Sequence, residues 1–188
     1  MAASGNDGRE LQIFNYYDPS QKHTEYSDKR YDFPASYPEV IGIAATGRKL
    51  SKGKPPRQMV DYFPAFSNWG PAIDLSAPSS RIESTRNDES GEEYGTGGGT
   101  SYASPHVSAT AALVLAKYPG LSPGEVRDHL MATAEPLSTI DPAGDYGEGL
   151  VDAEAAVNTP PGTPLAPARY TVSPIGKLSV TWGELRSK

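Results

Sequence analysis

The sequence contains no cysteine, which removes disulfides, thiol nucleophiles and cysteine-ligated zinc while leaving the compartment open. No apolar run approaches the roughly 20 residues that a bilayer-spanning helix needs, so no membrane span is read. Met1 is followed at once by AASGNDG, without a basic or an apolar leader segment, so no signal peptide is read there. Positive charge is also in short supply: 17 Lys and Arg against 23 Asp and Glu leave a net charge of −6. That balance speaks against nucleic acid or an anionic membrane as the main partner. The basic cluster Arg48, Lys49, Lys52 and Lys54 reads as a solvated loop. No internal repeat is visible.

What is present suits one ordinary domain. The 188 residues are 37% hydrophobic and 21% charged, enough for a real core and a small appendage. Residues 9–36 form a long polar stretch with scattered tyrosines, read as a functional surface excursion. YPEVIGIAAT, residues 37–46, is a short apolar run with β-branched residues, the pattern of a strand buried on both faces of a parallel sheet. A basic loop follows over 47–58. FSNWGPAIDLSAP predicts a turn and then a strand over 72–77, and the polar residues 79–94 read as an exposed excursion. From Pro105 to Lys117 the chain is apolar nearly all round, which predicts a buried helix with Pro105 in its first turn. A second helix is signposted by Ser122 as cap, Pro123 at the first position and Glu125 completing a capping box, with Val126, Leu130 and Ala134 on one face. Asp152 caps a short third helix. After Asn158 the run TPPGTPLAPA is a stiff linker over 159–169. Alternating residues 170–172 and 178–182 then read as the start of a small β domain or tail over 170–188.

The chemistry concentrates in GTGGGTSYASPHV. Glycines before Ser101 suit either a tight turn into a buried helix or the close approach of a substrate to a nucleophile. GTGGGTS lacks the lysine of a phosphate-binding loop. A serine at a helix entrance sits beside free N–H groups and the positive end of the helix dipole, which can hold a developing oxyanion. Asn6, between Gly5 and Asp7-Gly8, is an excellent turn former, and its amide is also a suitable oxyanion donor.

Taken together, the motifs resemble the subtilisin-like serine proteases, the subtilases. Gly99, Thr100, Ser101, Ala103, Pro105, His106 and Val107 match the family's Gly-Thr-Ser-x-Ala-x-Pro-His-Val signature. AASGNDG resembles its stretch carrying the oxyanion Asn, FPASYPEVIGIAAT its PAxYPxVIxVAA strand, and FSNWGPAIDLSAP its FSNxGxxVDxxAPG segment, with Ser79 where glycine is usual. YPGLSPGEVRDHL and GLVDAEAAV carry the resemblance to about Asn158. It implies an α/β fold: a three-layer, mainly parallel sheet with flanking helices, here incomplete at the N-terminus, over residues 1–158. It also implies a serine endopeptidase in which Ser101 attacks the scissile carbonyl while Asn6 and the Ser101 N–H hold the oxyanion. Ala3, Ser4, Gly5, Asp32, Gly99 and Thr100 would contact substrate, with Asp32 hinting at a basic preference in the pocket before the scissile bond. No cofactor is required for the chemistry and no metal takes part in it. The carbonyls around Ala35, Tyr37 and Val40 fall where some relatives bind a structural calcium. An extracellular location follows from the same resemblance.

One element is missing. The family's order is Asp, His, oxyanion Asn, Ser, so with Asn6 this early the Asp and His motifs would fall before Met1. His106 lies about 140° around the helix from Ser101 and matches a packing position of the signature. His23 and His129 stand in no DTG- or HGT-like context. A serine without a base is an ordinary alcohol. In subtilisin itself, loss of triad members leaves roughly 10³–10⁴-fold over water. The sequence thus predicts a chain nearly inactive alone, whose partners are a polypeptide substrate and the missing N-terminal part of the catalytic domain. A non-catalytic remnant that binds peptides or other partners is the alternative.

Overall fold

The computed structural model describes residues 1–14, 31–50, 59–87, 91, 93–137 and 145–163. His23, most of the 9–36 excursion, most of the basic loop, the linker beyond residue 163 and the expected strands over 170–182 lie outside these residues.

The sheet is organised by β2 (Gly42–Leu50). Its first half runs parallel to β1 (Ala2–Ala3) on one side and to β4 (Leu75–Pro78) on the other, with Ile43 opposite both Ala3 and Leu75. Ile43, Ala44 and Ala45 are all fully buried, as a parallel strand covered on both faces requires. The second half of β2 leaves this sheet and pairs antiparallel with β3 (Met59–Tyr62).

The strand boundaries differ from expectation. Residues 37–41 form a turn, closed by Val40 N–H donating to Tyr37 C=O at 3.0 Å, so β2 starts later than the apolar run. It then continues into the basic segment, where Arg48 pairs with Asp61 at 3.2 Å and the Lys49 ammonium sits 4.4 Å from the centre of the Tyr62 ring. The strand expected from residue 72 starts at Leu75, because Ile73 N–H donates back to Gly70 C=O in a turn. Of the excursion expected at 79–94, Ser79 is fully buried and most of the other described residues are exposed, and they are built on an antiparallel pair of β5 (Ser80–Thr85) and β6 (Tyr94–Gly98). A register shift lies between Ser80 and Ile82, where Arg81 takes a positive φ of 59°. The glycine run before Ser101 is therefore mostly strand rather than loop.

Helix α1 (Thr100–Lys117) covers one face of the sheet, and α2 (Pro123–Ala132) and α3 (Ala153–Asn158) pack against α1. Ala103, Val107, Ala111 and Val114 of α1 pack with Ile41, Ile43, Leu75 and Ala77, and Val126, Leu130 and Ala156 complete the cluster, with Ala134 against it. On the opposite face Leu11, Ala44, Ala72 and Ile73 form a smaller cluster with Ile13 and Tyr146. The capping box forms as expected: Ser122 N–H donates to Glu125 Oε2 at 2.8 Å and Glu125 N–H donates to Ser122 Oγ at 3.3 Å. The Ser122 hydroxyl, which also donates to Glu125 Oε2 at 2.6 Å, and then the Ser122 N–H hold the Glu125 carboxyl below its usual range. Asp152 accepts from Ala155 N–H at 2.8 Å at the start of α3.

Two expectations for α1 are corrected. The helix starts at Thr100, so Pro105 lies inside it rather than in the first turn. Proline there removes the donor that would serve the Ser101 carbonyl, and both residues lie on an exposed side of the helix, where water can take that role. The helix is also not buried all round. Leu113 and Leu115 are 53% and 40% exposed, because no described residue packs on that side. Near its N-terminus, Ser101, Ser104, Pro105 and Ser108 face Met1–Ala3 and Pro34 across an open concavity of about 630 Å³.

Candidate active site

Two bends meet at the start of α1. One follows β1, where Ser4 N–H still donates to Ile43 C=O at 3.0 Å before Gly5 turns the chain with φ 97°. The other is Gly99, between β6 and α1, with φ 133°. Neither conformation suits a residue with a side chain, and a Cβ on Gly99 would stand 3.4 Å from Asn6 Nδ2.

Thr100 ties the bends together. It is fully buried, so it acts as a strut rather than as pocket surface. Its N–H and its Oγ1–H both donate to Asn6 Oδ1, at 2.9 and 3.1 Å, and its Oγ1 accepts from Gly5 N–H at 3.1 Å. A backbone N–H can only donate, so the Asn6 atom facing it must be the carbonyl oxygen. Nδ2 therefore points away, and it has no hydrogen-bond partner among the described residues.

The helix start supplies a second donor. Gly99 N–H donates to Ser79 C=O at 3.1 Å and Tyr102 N–H to Gly99 C=O at 2.9 Å, while Thr100 N–H serves Asn6. Among the described residues, the Ser101 N–H has no acceptor. Two unsatisfied donors, Asn6 Nδ2 and the Ser101 N–H, thus lie at the positive end of an 18-residue helix beside an exposed hydroxyl. Such an arrangement favours negative charge.

Neither described histidine is hydrogen-bonded to Ser101. His106 Nδ1 lies 2.7 Å from Tyr102 C=O, one turn back on its own helix, and buried His129 Nε2 lies 2.7 Å from Ala156 C=O.

Of the expected wall, Ala3, Gly5 and Asp32 are partly exposed while Ser4 is fully buried behind them, and the group is organised by Asn68, which sequence reasoning passed over although FSNWG contains it. Asn68 is fully buried. Its Nδ2 donates to Ser4 C=O at 2.7 Å and to Asp32 Oδ2 at 3.4 Å, and its Oδ1 accepts from Asp7 and Arg9 N–H, both at 3.1 Å. Asp32 Oδ2 lies directly over Gly5, where any Cβ would run into it. Arg9 Nη2 is 3.8 Å from that oxygen and 3.6 Å from Asp7 Oδ2. Burial raises the Asp32 pKa above its ordinary value; Arg9 opposes the rise and Asp7 adds to it. Asp32, expected to hint at a basic preference, stands in an Asp32–Arg9–Asp7 arrangement.

The residues near the expected calcium position fit a cation poorly. Tyr37 C=O already accepts from Val40 N–H. The nearby carboxylate of Asp74 is held by Arg127 at 2.6 Å, and the same guanidinium donates to Pro38 C=O at 2.7 Å, so positive charge is already in place. No group of three or more His, Asp or Glu side chains converges among the described residues.

A profile of the subtilase family (Peptidase_S8) matches residues 1–157. The chain belongs to the subtilase family. It is similar to the halolysin-like extracellular serine protease Nep of Natrialba magadii, 38% identical over 129 residues that cover 69% of this chain and 21% of that protein. Subtilisin E of Bacillus subtilis is 32% identical over 155 residues, covering 82% of this chain and 32% of the relative. Among solved structures, fervidolysin from Fervidobacterium pennivorans matches with a TM-score of 0.55 and 30% identity, over 73% of this chain and 22% of that one. A protease from Pseudoalteromonas arctica matches with a TM-score of 0.58 and 26% identity, over 82% of this chain and 40% of that one. The fold is the subtilisin-like α/β fold, of which this subtilase chain holds an incomplete part. The chain spans between a fifth and a third of the length of the two curated relatives named.

Proposed function

We propose that this subtilase chain carries the nucleophile and oxyanion half of a secreted serine endopeptidase. Ser101 Oγ attacks the carbonyl carbon of the scissile peptide. Its proton passes to a histidine supplied, with its orienting aspartate, by the N-terminal part of the catalytic domain. The carbonyl oxygen, now negative, is held by Asn6 Nδ2 and the Ser101 N–H. The C–N bond then breaks, the amine leaves with the proton, and water releases the acyl group from Ser101 by the reverse exchange. Residues 1–158 form this part of the domain, 159–169 link it onward, and 170–188 begin a tail or small β domain. The exposed apolar side of α1 and the outer edge of β1 are where the Asp- and His-bearing part packs.

The observation that carries the reading is the hold of Thr100 on Asn6, which leaves two unsatisfied donors beside one exposed serine. The test is labelling by a fluorophosphonate, with Ser101→Ala as control. Labelling of the chain after the Asp- and His-bearing part is supplied, and not before, is expected. No labelling on reunion favours the second reading, a subtilase remnant that binds peptides without cleaving them. That reading draws on the two described histidines, each with one ring nitrogen at a backbone carbonyl and neither hydrogen-bonded to Ser101.

A further inference from the structure

Asp32 and Arg9 are 23 positions apart in sequence (32 − 9), yet they meet over the Gly5 bend. If the wall beside Gly5 receives the substrate side chain that precedes the scissile bond, the charge of that wall selects the side chain. Three observations bear on the charge. Asp32 Oδ2 lies over the Gly5 α-carbon and so faces whatever runs along that backbone. Arg9 reaches Asp32 and Asp7 through one nitrogen, Nη2, at 3.8 and 3.6 Å. Arg9 Nε is buried and has no hydrogen-bond partner among the described residues, so the guanidinium is held close to the two acids without a two-pronged bond to either.

We propose that Arg9 is a specificity-determining residue of this subtilase: its guanidinium neutralises Asp32 from within and turns the pocket away from cationic side chains toward uncharged ones. The proposal rests on the reading of the Gly5 wall as a substrate pocket. A lysine or arginine entering the pocket would meet a guanidinium already placed at the carboxylate, and like charges a few ångströms apart repel. An uncharged side chain meets no such opposition. Asn68 makes the arrangement durable, because its buried amide fixes the Arg9 and Asp7 backbone N–H groups while its Nδ2 reaches Asp32.

The test uses the 188-residue chain and two small probes, benzamidinium as the cation and benzyl alcohol as its uncharged counterpart, followed by NMR shifts. Arg9→Gln is expected to tighten benzamidinium binding about tenfold while leaving benzyl alcohol unchanged. Arg9→Lys, which keeps the charge, should bind like the parent chain. Adding Asp32→Asn to Arg9→Gln should abolish the gain. Equal benzamidinium affinity in the parent and Arg9→Gln chains would overturn the proposal, as would a gain that survives Asp32→Asn. The carboxyl carbon of Asp32 reports the pairing separately: its titration should move upward in Arg9→Gln, and an unmoved titration counts against it. With the Asp- and His-bearing part supplied, peptidyl phosphonates ending in lysine or phenylalanine then test the link to proteolysis. Arg9→Gln should shift Ser101 labelling about tenfold toward lysine. If neither phosphonate labels Ser101 while the benzamidinium shift appears, the charge assignment stands and the protease reading falls.

Discussion

The two sides of the Gly5 bend are held in different ways. On the Asn6 side, buried Thr100 makes contacts of 2.9 to 3.1 Å, and both of its donors converge on one oxygen. On the Asp32 side the carboxylate itself is held more loosely, at 3.4 Å from Asn68 Nδ2 and 3.8 Å from the partly exposed Arg9 guanidinium. Placing a donor at an oxyanion demands accuracy, since its value lies in being in position before charge develops. A pocket wall that meets varied side chains needs a suitable charge more than a fixed atom. The short side is therefore where small changes should cost rate, and the long side where they should change selectivity.

The largest expected effect breaks the short side. Asn6→Ala should lower Ser101 acylation in the reunited enzyme by about 10²–10³-fold, the magnitude measured for the side-chain donor of subtilisin itself. Benzamidinium affinity should not change, and a matching loss of pocket binding would mean the two sides are not separable. Thr100→Val removes the strut. It leaves the Gly5 N–H without its acceptor, which should lower unfolding free energy by about 1–3 kcal/mol in denaturant titration and slow acylation as Asn6 loosens. A control away from both sides, Ser122→Ala, should lower stability by about 1 kcal/mol through loss of the helix cap, with acylation and probe binding intact. The smallest effect sharpens the long side. Burial raises the folded Asp32 pKa, so the folded chain holds that proton more tightly than the unfolded chain. Stability associated with Asp32 is then highest at low pH and is lost as pH rises from the ordinary aspartate value through the raised one. Asp32→Asn should match the parent below that window and gain on it above, as read by thermal melts across pH. A variant that loses stability at neutral pH would show that the Arg9 pairing outweighs burial.

Much of the fold was legible because it rests on local chemistry. The Ser122–Glu125 box and the Asp152 cap are contacts between residues three apart, and both form. The unbroken apolar run through Ile43 and Ala44 marks a strand buried on both faces, and it is one. The antiparallel pair of β5 and β6 was not legible. Its strands have no apolar alternation to read, since β6 is largely glycine and most of β5 is exposed. The reach of β2 into the basic segment was hidden for a related reason: pairing with β3, not composition, makes Gly47 to Leu50 a strand.

Helix α1 shows the limit most plainly. Its residues are apolar on nearly every side, and only packing distinguishes Val107 and Val114, fully buried, from Leu113 and Leu115, left open. Composition determined that a helix would follow the glycines and that Ser101 would stand at its entrance, because backbone preference and capping act over a few residues. Motif order determined the family. What the tertiary structure alone decided were the meetings between distant segments: Thr100 with Asn6, Asn68 with Ser4, Asp7 and Arg9, and Arg9 with Asp32. Hydrogen bonds and charge pairs act over a few ångströms, so a linear pattern can name their members without saying which of them touch.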